Sequence, residues 1–509
     1  MAFWVMVLCA VLACILGGLY LLGAFRQRGA QEPPLDKGLI PWLGYGLHFQ
    51  KDGVAFLQRM QKKHGDIFTV LLGGYYFTFV MDPLSYGAIL KEARTKLDFT
   101  LYVTQIVEQA FGFQHSEMTH KVLEAVNTKH LRGDGLVVMT QAMMESLHRV
   151  MRHSLSSAGG EKSWKQDGLF HFSYNMLFKA GYLAVFGNTT SKGEKNKEDA
   201  ERSDLADSED LFAEFCKFDN FFPGLASSML SPRDKMEAES LKRHFWNITS
   251  VKEVYKKENI SGWITDLQKH LDEAGMPEYM QGRLFFTLLW ALQANSGPAS
   301  FWLLAYLMKN PKAMDEVRKE VDRVVEESGQ EVRAGGPVLN ITKEMLDKTP
   351  ILDSAVRETL RLATTPLVIR VVMVDLEIQM NDGRKYLLRK GDRVALFPFV
   401  AAHMDPEIHP DPHVFKYDRF LSLDGTKKKF YKNGEKVKYF SMPWGAGAMC
   451  PGRFFATNEL KLIAFLMLTY FDMQLVNVEE EIPPVNKNRC GFGVMQPTHD
   501  VQFRYRLRH

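Results

Sequence analysis

Cys450 stands in Trp444-Gly-Ala-Gly-Ala-Met-Cys450-Pro451-Gly452-Arg453, a Gly-rich loop that delivers one thiol to the start of an apolar helix. Pro451 suits the first helical position, where a missing N–H costs nothing, and apolar periodicity resumes at Phe454, Phe455, Leu460, Leu462 and Phe465. A helix N-terminus facing the sulfur lowers the thiol pKa and stabilises the thiolate, the form that ligates a metal. Standing alone, such a cysteine reads equally as a small buried apolar residue. Upstream, Thr349-Pro350 opens a helix on which Glu358 and Arg361 are three apart and share one face. Between that pair and the cysteine lie Asp405-Pro406, Asp411-Pro412 and Phe415-Lys-Tyr-Asp-Arg419-Phe420. Gly445-x-Gly447 lacks a third glycine and precedes a cysteine, so it is not a dinucleotide-binding turn.

These residues need a scaffold, and the periodicity predicts a mainly α one. Helical spacing runs through 138–155, 169–187, 236–257, 283–309, 312–328, 349–362 and 453–471. Ile67 to Leu72 and Tyr75 to Met81 are β-branched and aromatic runs joined by Gly73-Gly74, a two-residue hairpin signal. A second hairpin is predicted from Leu376 to Met380 and Tyr386 to Leu388 around Asn381-Asp382-Gly383, followed by Val394 to Phe397. Ser191 to Asp210, dense in Lys, Glu and Asp, reads as a solvated loop. The basic run Lys427, Lys428, Lys429, Lys432, Lys436 and Lys438 reads as a solvated face or a dock for an acidic redox partner.

The chain has 509 residues, 46% hydrophobic and 24% charged, an ordinary globular composition. A net charge of +3 gives no electrostatic footprint for nucleic acid, which is not expected as a partner. The five cysteines are scattered without paired or CxxC spacing, which fits a reducing compartment. From Phe3 to Phe25 no residue is charged, and at 1.5 Å per residue this run spans roughly 35 Å, enough for a transmembrane helix. Arg26 and Arg28 follow and predict a cytosolic body, in which the sequons at Asn188, Asn247, Asn259 and Asn340 stay unused. Phe221-Phe222-Pro223 and Met229-Leu230 are candidates for dipping into the membrane. At ~150 residues per domain the length alone predicts three domains.

Glu358-x-x-Arg361, the stretch His403 to Phe420 and the Cys450-Pro-Gly452 loop together resemble the signature set of the cytochrome P450 family, the haem-thiolate monooxygenases. The resemblance runs over nearly the whole chain. It implies a mainly α cytochrome P450 fold with a small β-rich region: a transmembrane anchor at 1–25, a Pro-rich hinge at 26–46 and one haem-thiolate catalytic domain at 47–509. It further implies haem b with Cys450 as axial iron ligand, O₂ as co-substrate, and NADPH-derived electrons from NADPH–cytochrome P450 reductase at the endoplasmic reticulum membrane. Glu358, Arg361 and Arg419 would be the family's structural triad. Glu32-Pro-Pro-Leu-Asp-Lys-Gly38, Phe77-Thr-Phe-Val-Met-Asp-Pro83, Thr128-Lys-His-Leu-Arg-Gly-Asp-Gly135, Met442-Pro-Trp444 and Gly491-Phe-Gly-Val-Met-Gln-Pro497 look like its sterol-oxidising branch. The member of that branch these segments resemble acts on a 7-alpha-hydroxylated 3-oxo sterol of bile acid synthesis and inserts one oxygen atom at carbon 12, which is the reaction the resemblance implies here.

By resemblance in position, Ala294 and Asn295 occupy the family's acid and alcohol places on the long helix, and Asn295 with Ser296 would carry the catalytic polar role. Arg132 and Arg453 are candidate haem contacts. Trp290, Ala294, Thr365, Pro366, Val368, Val494 and Met495 are candidate substrate contacts. The same branch contains an isomerase of a lipid endoperoxide, which needs neither NADPH nor O₂. The cysteine loop is one residue shorter than the family's, so a degenerate haem or sterol binder is a third reading.

Overall fold

The computed structural model describes residues 2–21, 25–156, 163–189, 197–333 and 338–508. Its centre is the helix Glu278–Lys309, apolar on every side and therefore buried by neighbours all round. Leu169–Phe186, Arg453–Tyr470, Pro350–Ala363 and Pro311–Glu327 pack on it. Pro298 lies inside this central helix and has no N–H to give to the carbonyl one turn back, that of Ala294.

The β region is a six-stranded sheet in the order Leu35–Asp36, Ile67–Leu72, Tyr75–Val80, Arg393–Leu396, Val368–Val372, Leu97–Asp98. Leu72 opposes Tyr75, so Gly73-Gly74 forms a two-residue turn; both glycines have positive φ, 56° and 85°, as that turn demands. Leu376–Gln379 pairs with Lys385–Leu388 as the second hairpin, while Arg393–Leu396 leaves it to join the large sheet between Tyr75–Val80 and Val368–Val372.

The predicted helices occur with small shifts at their ends, and the 236–257 segment divides into Pro232–Ile248 and Val251–Val254. The expected solvated loop at 191–210 is corrected: a helix runs from Lys197 to Ala226. Its inward stripe of Leu205, Ser208, Leu211, Phe212, Phe215, Phe218 and Phe222 follows the 3.6 period that the surrounding charges hide. Residues 190–196 lie outside the described residues. Phe222 belongs to this stripe and faces the core rather than a membrane.

The helix Ala2–Leu21 contains an 18-residue window of mean hydropathy 2.4, none of it buried, enough to cross a membrane by length and composition. The Pro-rich 26–46 segment packs on the body. Arg26 forks onto Asp392 at 2.6 and 2.7 Å, and Leu35–Asp36 pairs in parallel with Thr69 and Val70.

Candidate active site

Glu358, Arg361 and Arg419 meet in the interior. Arg361 donates to both Glu358 oxygens, at 2.7 and 2.8 Å, and Arg419 Nε donates to Oε1 at 2.7 Å. The remaining arginine donors are taken by backbone: Arg361 by the His403 carbonyl at 2.6 Å, Arg419 by those of Pro410, Asp411 and Val414. A buried charge cluster is tolerable only with this degree of satisfaction. His403 then extends the network, its Nε2 accepting from Met442 N at 2.9 Å. Burial, with help from His409 and Arg361, depresses His403 to about 3, so it is neutral and free to accept. The triad is thereby tied, through one imidazole, to the strand of chain that enters the cysteine loop.

That loop turns on Gly445 and Gly447, both at φ 75°, and closes with Cys450 N donating to the Trp444 carbonyl at 3.0 Å. The helix behind it begins at Arg453, two residues after Pro451, with Gly452 as its cap. The thiol departs from the sequence expectation. The Gly452 and Arg453 amides and the Arg453 charge pull its pKa down, yet desolvation by the protein packed around the loop outweighs them and pushes it up, even though Cys450 itself is exposed to the cavity it lines.

Cys450 is exposed on the wall of a cavity of about 690 Å³. The cysteine loop forms one side; Leu97, Phe99, Pro366, Leu367 and Val368 supply apolar walls; Glu92, Arg94, Arg370 and His120 supply polar ends. Arg370 was missed by sequence reasoning. It lies on the Val368–Val372 strand and donates to the Ala446 carbonyl of the cysteine loop at 3.0 Å. A lone arginine in an apolar strand was the available signal.

The central helix reaches this region through Asn295, whose Oδ1 accepts from Val494 N at 3.0 Å, next to the cavity-lining Gly493. Ser296 faces another way, donating to Glu459 at 2.9 Å. Glu459, also missed, sits on the helix after the cysteine, and complete burial lifts its pKa to about 8. Trp290 Nε1 donates to Asp219 at 2.8 Å, and the Ala294 carbonyl, freed by Pro298, accepts from Arg489 at 3.4 Å.

Pro366 and Val368 line the cavity; Thr365, Val494 and Met495 are buried behind it, Met495 bonded to the Ala363 carbonyl at 2.8 Å. Arg453 donates to the Cys450 carbonyl at 2.9 Å. Arg132 is exposed in a turn and does not line the cavity; its neighbours Lys129 and His130 pair with Asp266 instead.

The geometry has counterparts among known proteins. The chain is 47% identical to 5-beta-cholestane-3-alpha,7-alpha-diol 12-alpha-hydroxylase of Sus scrofa over 510 residues, covering 100% of this chain and 99% of that protein. It is 47% identical to 7-alpha-hydroxycholest-4-en-3-one 12-alpha-hydroxylase of Homo sapiens over 509 residues, with coverage of 100% and 99%. Human prostacyclin synthase is 43% identical over 482 residues, 94% of each chain. The family model described as Cytochrome P450 matches residues 33–503, a span that takes in the triad, the His403 link and the Cys450 loop, and the chain belongs to the cytochrome P450 family.

Proposed function

We propose that the protein hydroxylates a sterol at the 12-alpha position, with 7-alpha-hydroxycholest-4-en-3-one as the substrate to try first. The observation that carries this reading is 47% identity to a 12-alpha-hydroxylase across the whole chain, against 43% over 94% for prostacyclin synthase. The cavity residues fit the family's haem: a thiol on one wall, apolar surfaces for a flat macrocycle, and at the polar end Arg94 and Arg370, whose two charges outnumber that of Glu92. When bound, haem supplies the activation of O₂ and the insertion of one oxygen atom.

The chain's own residues do the rest. Cys450 would hold the iron, on a loop tied to Arg370 through the Ala446 carbonyl and to His403 through the Met442 amide. Asn295, anchored on Val494, keeps its amide N–H₂ for hydrogen bonding. Glu459 holds a proton at its carboxyl up to about pH 8, and Ser296 Oγ lies against it. The apolar helix at the N-terminus anchors the enzyme in the endoplasmic reticulum membrane. Exposed Lys427, Lys428, Lys429, Lys436 and Lys438 receive the acidic face of an NADPH-fed reductase.

Reconstitution with reductase, NADPH, O₂ and the sterol should yield a product oxygenated at carbon 12. A second reading draws on the prostacyclin synthase relatives and on Ala294 in the acid position. Anaerobic conversion of an endoperoxide without reductase would establish isomerisation in place of hydroxylation. A reduced, carbon monoxide-bound spectrum lacking the thiolate-type Soret band would make the protein a non-catalytic binder.

A further inference from the structure

Large apolar side chains lie open on the surface close to the point where the N-terminal helix joins the body. Leu39 is 99% exposed, and Ile40, Trp42 and Leu47 are each exposed by 44% or more. Single exposed apolar residues are ordinary, but four of them between Leu39 and Leu47 make a patch. Met229 extends it from the turn that follows Lys197–Ala226, its methyl 3.7 Å from where a Cβ on Gly46 would stand. From Leu39 to Lys51 the chain carries no acidic residue, and His48 and Lys51 are exposed.

The backbone is strained where it presents this patch. Trp42 has φ 65°, a left-handed conformation that a bulky residue keeps only where its surroundings enforce it. The Leu43 and Gly44 amides close back on the Pro41 and Ile40 carbonyls at 2.8 Å each, and Gly74 N donates to the Trp42 carbonyl at 2.7 Å. The indole is thereby held against Gly74, in the turn of the first hairpin. Two residues further along, Tyr76 carries the Arg26 guanidinium 4.5 Å from its ring centre. The chain arriving from Ala2–Leu21 therefore meets the body about 7 Å along the strand from the residue on which Trp42 rests. Five residues separate Leu21 from Arg26, at most about 18 Å of extended chain, so a bilayer that holds the helix has its surface within reach of the patch.

We propose that Leu39, Ile40, Trp42, Leu47 and Met229 form a second membrane contact, seated at the headgroup and upper acyl level of the bilayer that holds the anchor. This rests on the reading of Ala2–Leu21 as a membrane anchor. Trp suits that depth, with an apolar ring for the acyl chains and an N–H for the wet side. The absence of acids and the exposed His48 and Lys51 match a surface of lipid phosphates. An anchor alone leaves the body free to pivot on its tether. Anchor and patch together fix which face lies on the bilayer and bring the Met229 turn to the lipid surface.

Nitroxide-labelled full-length holoenzyme in phosphatidylcholine–phosphatidylserine nanodiscs tests this by electron paramagnetic resonance with two relaxing agents: dioxygen, which concentrates in lipid, and a water-soluble nickel chelate, which lipid excludes. The parent chain carries Cys9→Ala and Cys14→Ala, and its residual signal is subtracted. Labels at Leu39→Cys and Leu47→Cys should give a dioxygen-to-nickel ratio about ten-fold above that at Leu423→Cys, an equally open leucine beside the basic run. All three side chains are exposed, so the substitutions remove no core packing. A ratio at 39 and 47 equal to that at 423 overturns the proposal. Low access of both agents at 39 and 47 overturns it too, because protein, such as a second copy, then covers the patch. A label on native Cys9, with Cys14→Ala alone, checks the anchor. A water-like ratio at Cys9 overturns the anchor reading and this contact with it, whereas a lipid-like ratio there beside a water-like one at Leu39→Cys removes the contact only.

Discussion

A carboxylate buried between two guanidiniums is stable only while its partners remain. Glu358 accepts from Arg361, Arg419 and the Lys416 amide, all in the interior. Arg419→Met should therefore destabilise the fold by about 3–5 kcal/mol, because it strands part of a buried charge, and denaturant midpoints will read it. A loss below about 1 kcal/mol would mean that Arg361 and the Lys416 amide satisfy the Glu358 carboxylate without Arg419. The loop glycines separate two costs. An added Cβ on Gly445 meets nothing closer than the Ala448 carbonyl at 3.4 Å, so Gly445→Ala carries only the left-handed backbone penalty of about 1–2 kcal/mol. On Gly447 it lies 2.7 Å from Arg370 Nη2 and also breaks the bond to Ala446. Gly447→Ala should lower the haem-to-protein ratio well below that of Gly445→Ala; equal ratios would show that Arg370 does not brace the loop.

The central helix is placed by small residues that its partner helix needs at the crossing. A Cβ on Gly297 would lie 1.8 Å from the Tyr174 ring, which is fully buried and cannot retreat, whereas one on Gly181 meets the amide end of Gln293 at 2.3 Å. Gly297→Ala should cost about 1–3 kcal/mol and Gly181→Ala visibly less, read as melting temperatures of the two variants. This bears on what the sequence could say. Period alone located the helices around 283–309 and 453–471, because a long run of apolar residues at helical spacing has few other fates. It failed at the start of Lys197–Ala226, where the apolar stripe that runs from Leu205 to Phe222 begins among many charges. The cysteine, the Glu358–Arg361 pair and Arg419 were readable because their residue types and order are rare. Glu459, Arg370 and Asp219 were not, since each is an ordinary charged residue until the fold removes its water. The direction of the Cys450 shift was misjudged for a related reason: helix-end amides are visible in a sequence, and the protein that packs around the loop is not.

Across the whole molecule, stability should peak near neutral pH, and the two limbs have different owners. Burial holds His403 and His409 at about 3 and His148 at about 4, all below the ordinary 6.5. Between those values the unfolded chain binds more protons than the folded one, so stability falls as pH drops below 6.5. Glu459 acts in the opposite sense. Its folded pKa of about 8 exceeds the ordinary 4.5, so the folded state holds the extra proton and stability declines as pH rises from 4.5 towards 8. The two effects oppose each other from 4.5 to 6.5, and above 6.5 the histidines no longer contribute while Glu459 still does. Melting temperatures of the wild type should therefore fall between pH 6.5 and 8. Glu459→Gln keeps an acceptor for Ser296 but has no proton to lose, so its curve should be flat over that interval, and its acid limb should steepen between pH 4.5 and 6.5, where Glu459 no longer opposes the histidines. A wild-type slope that survives in Glu459→Gln would assign the alkaline limb to another group and leave Glu459 ionised beside Ser296 at neutral pH.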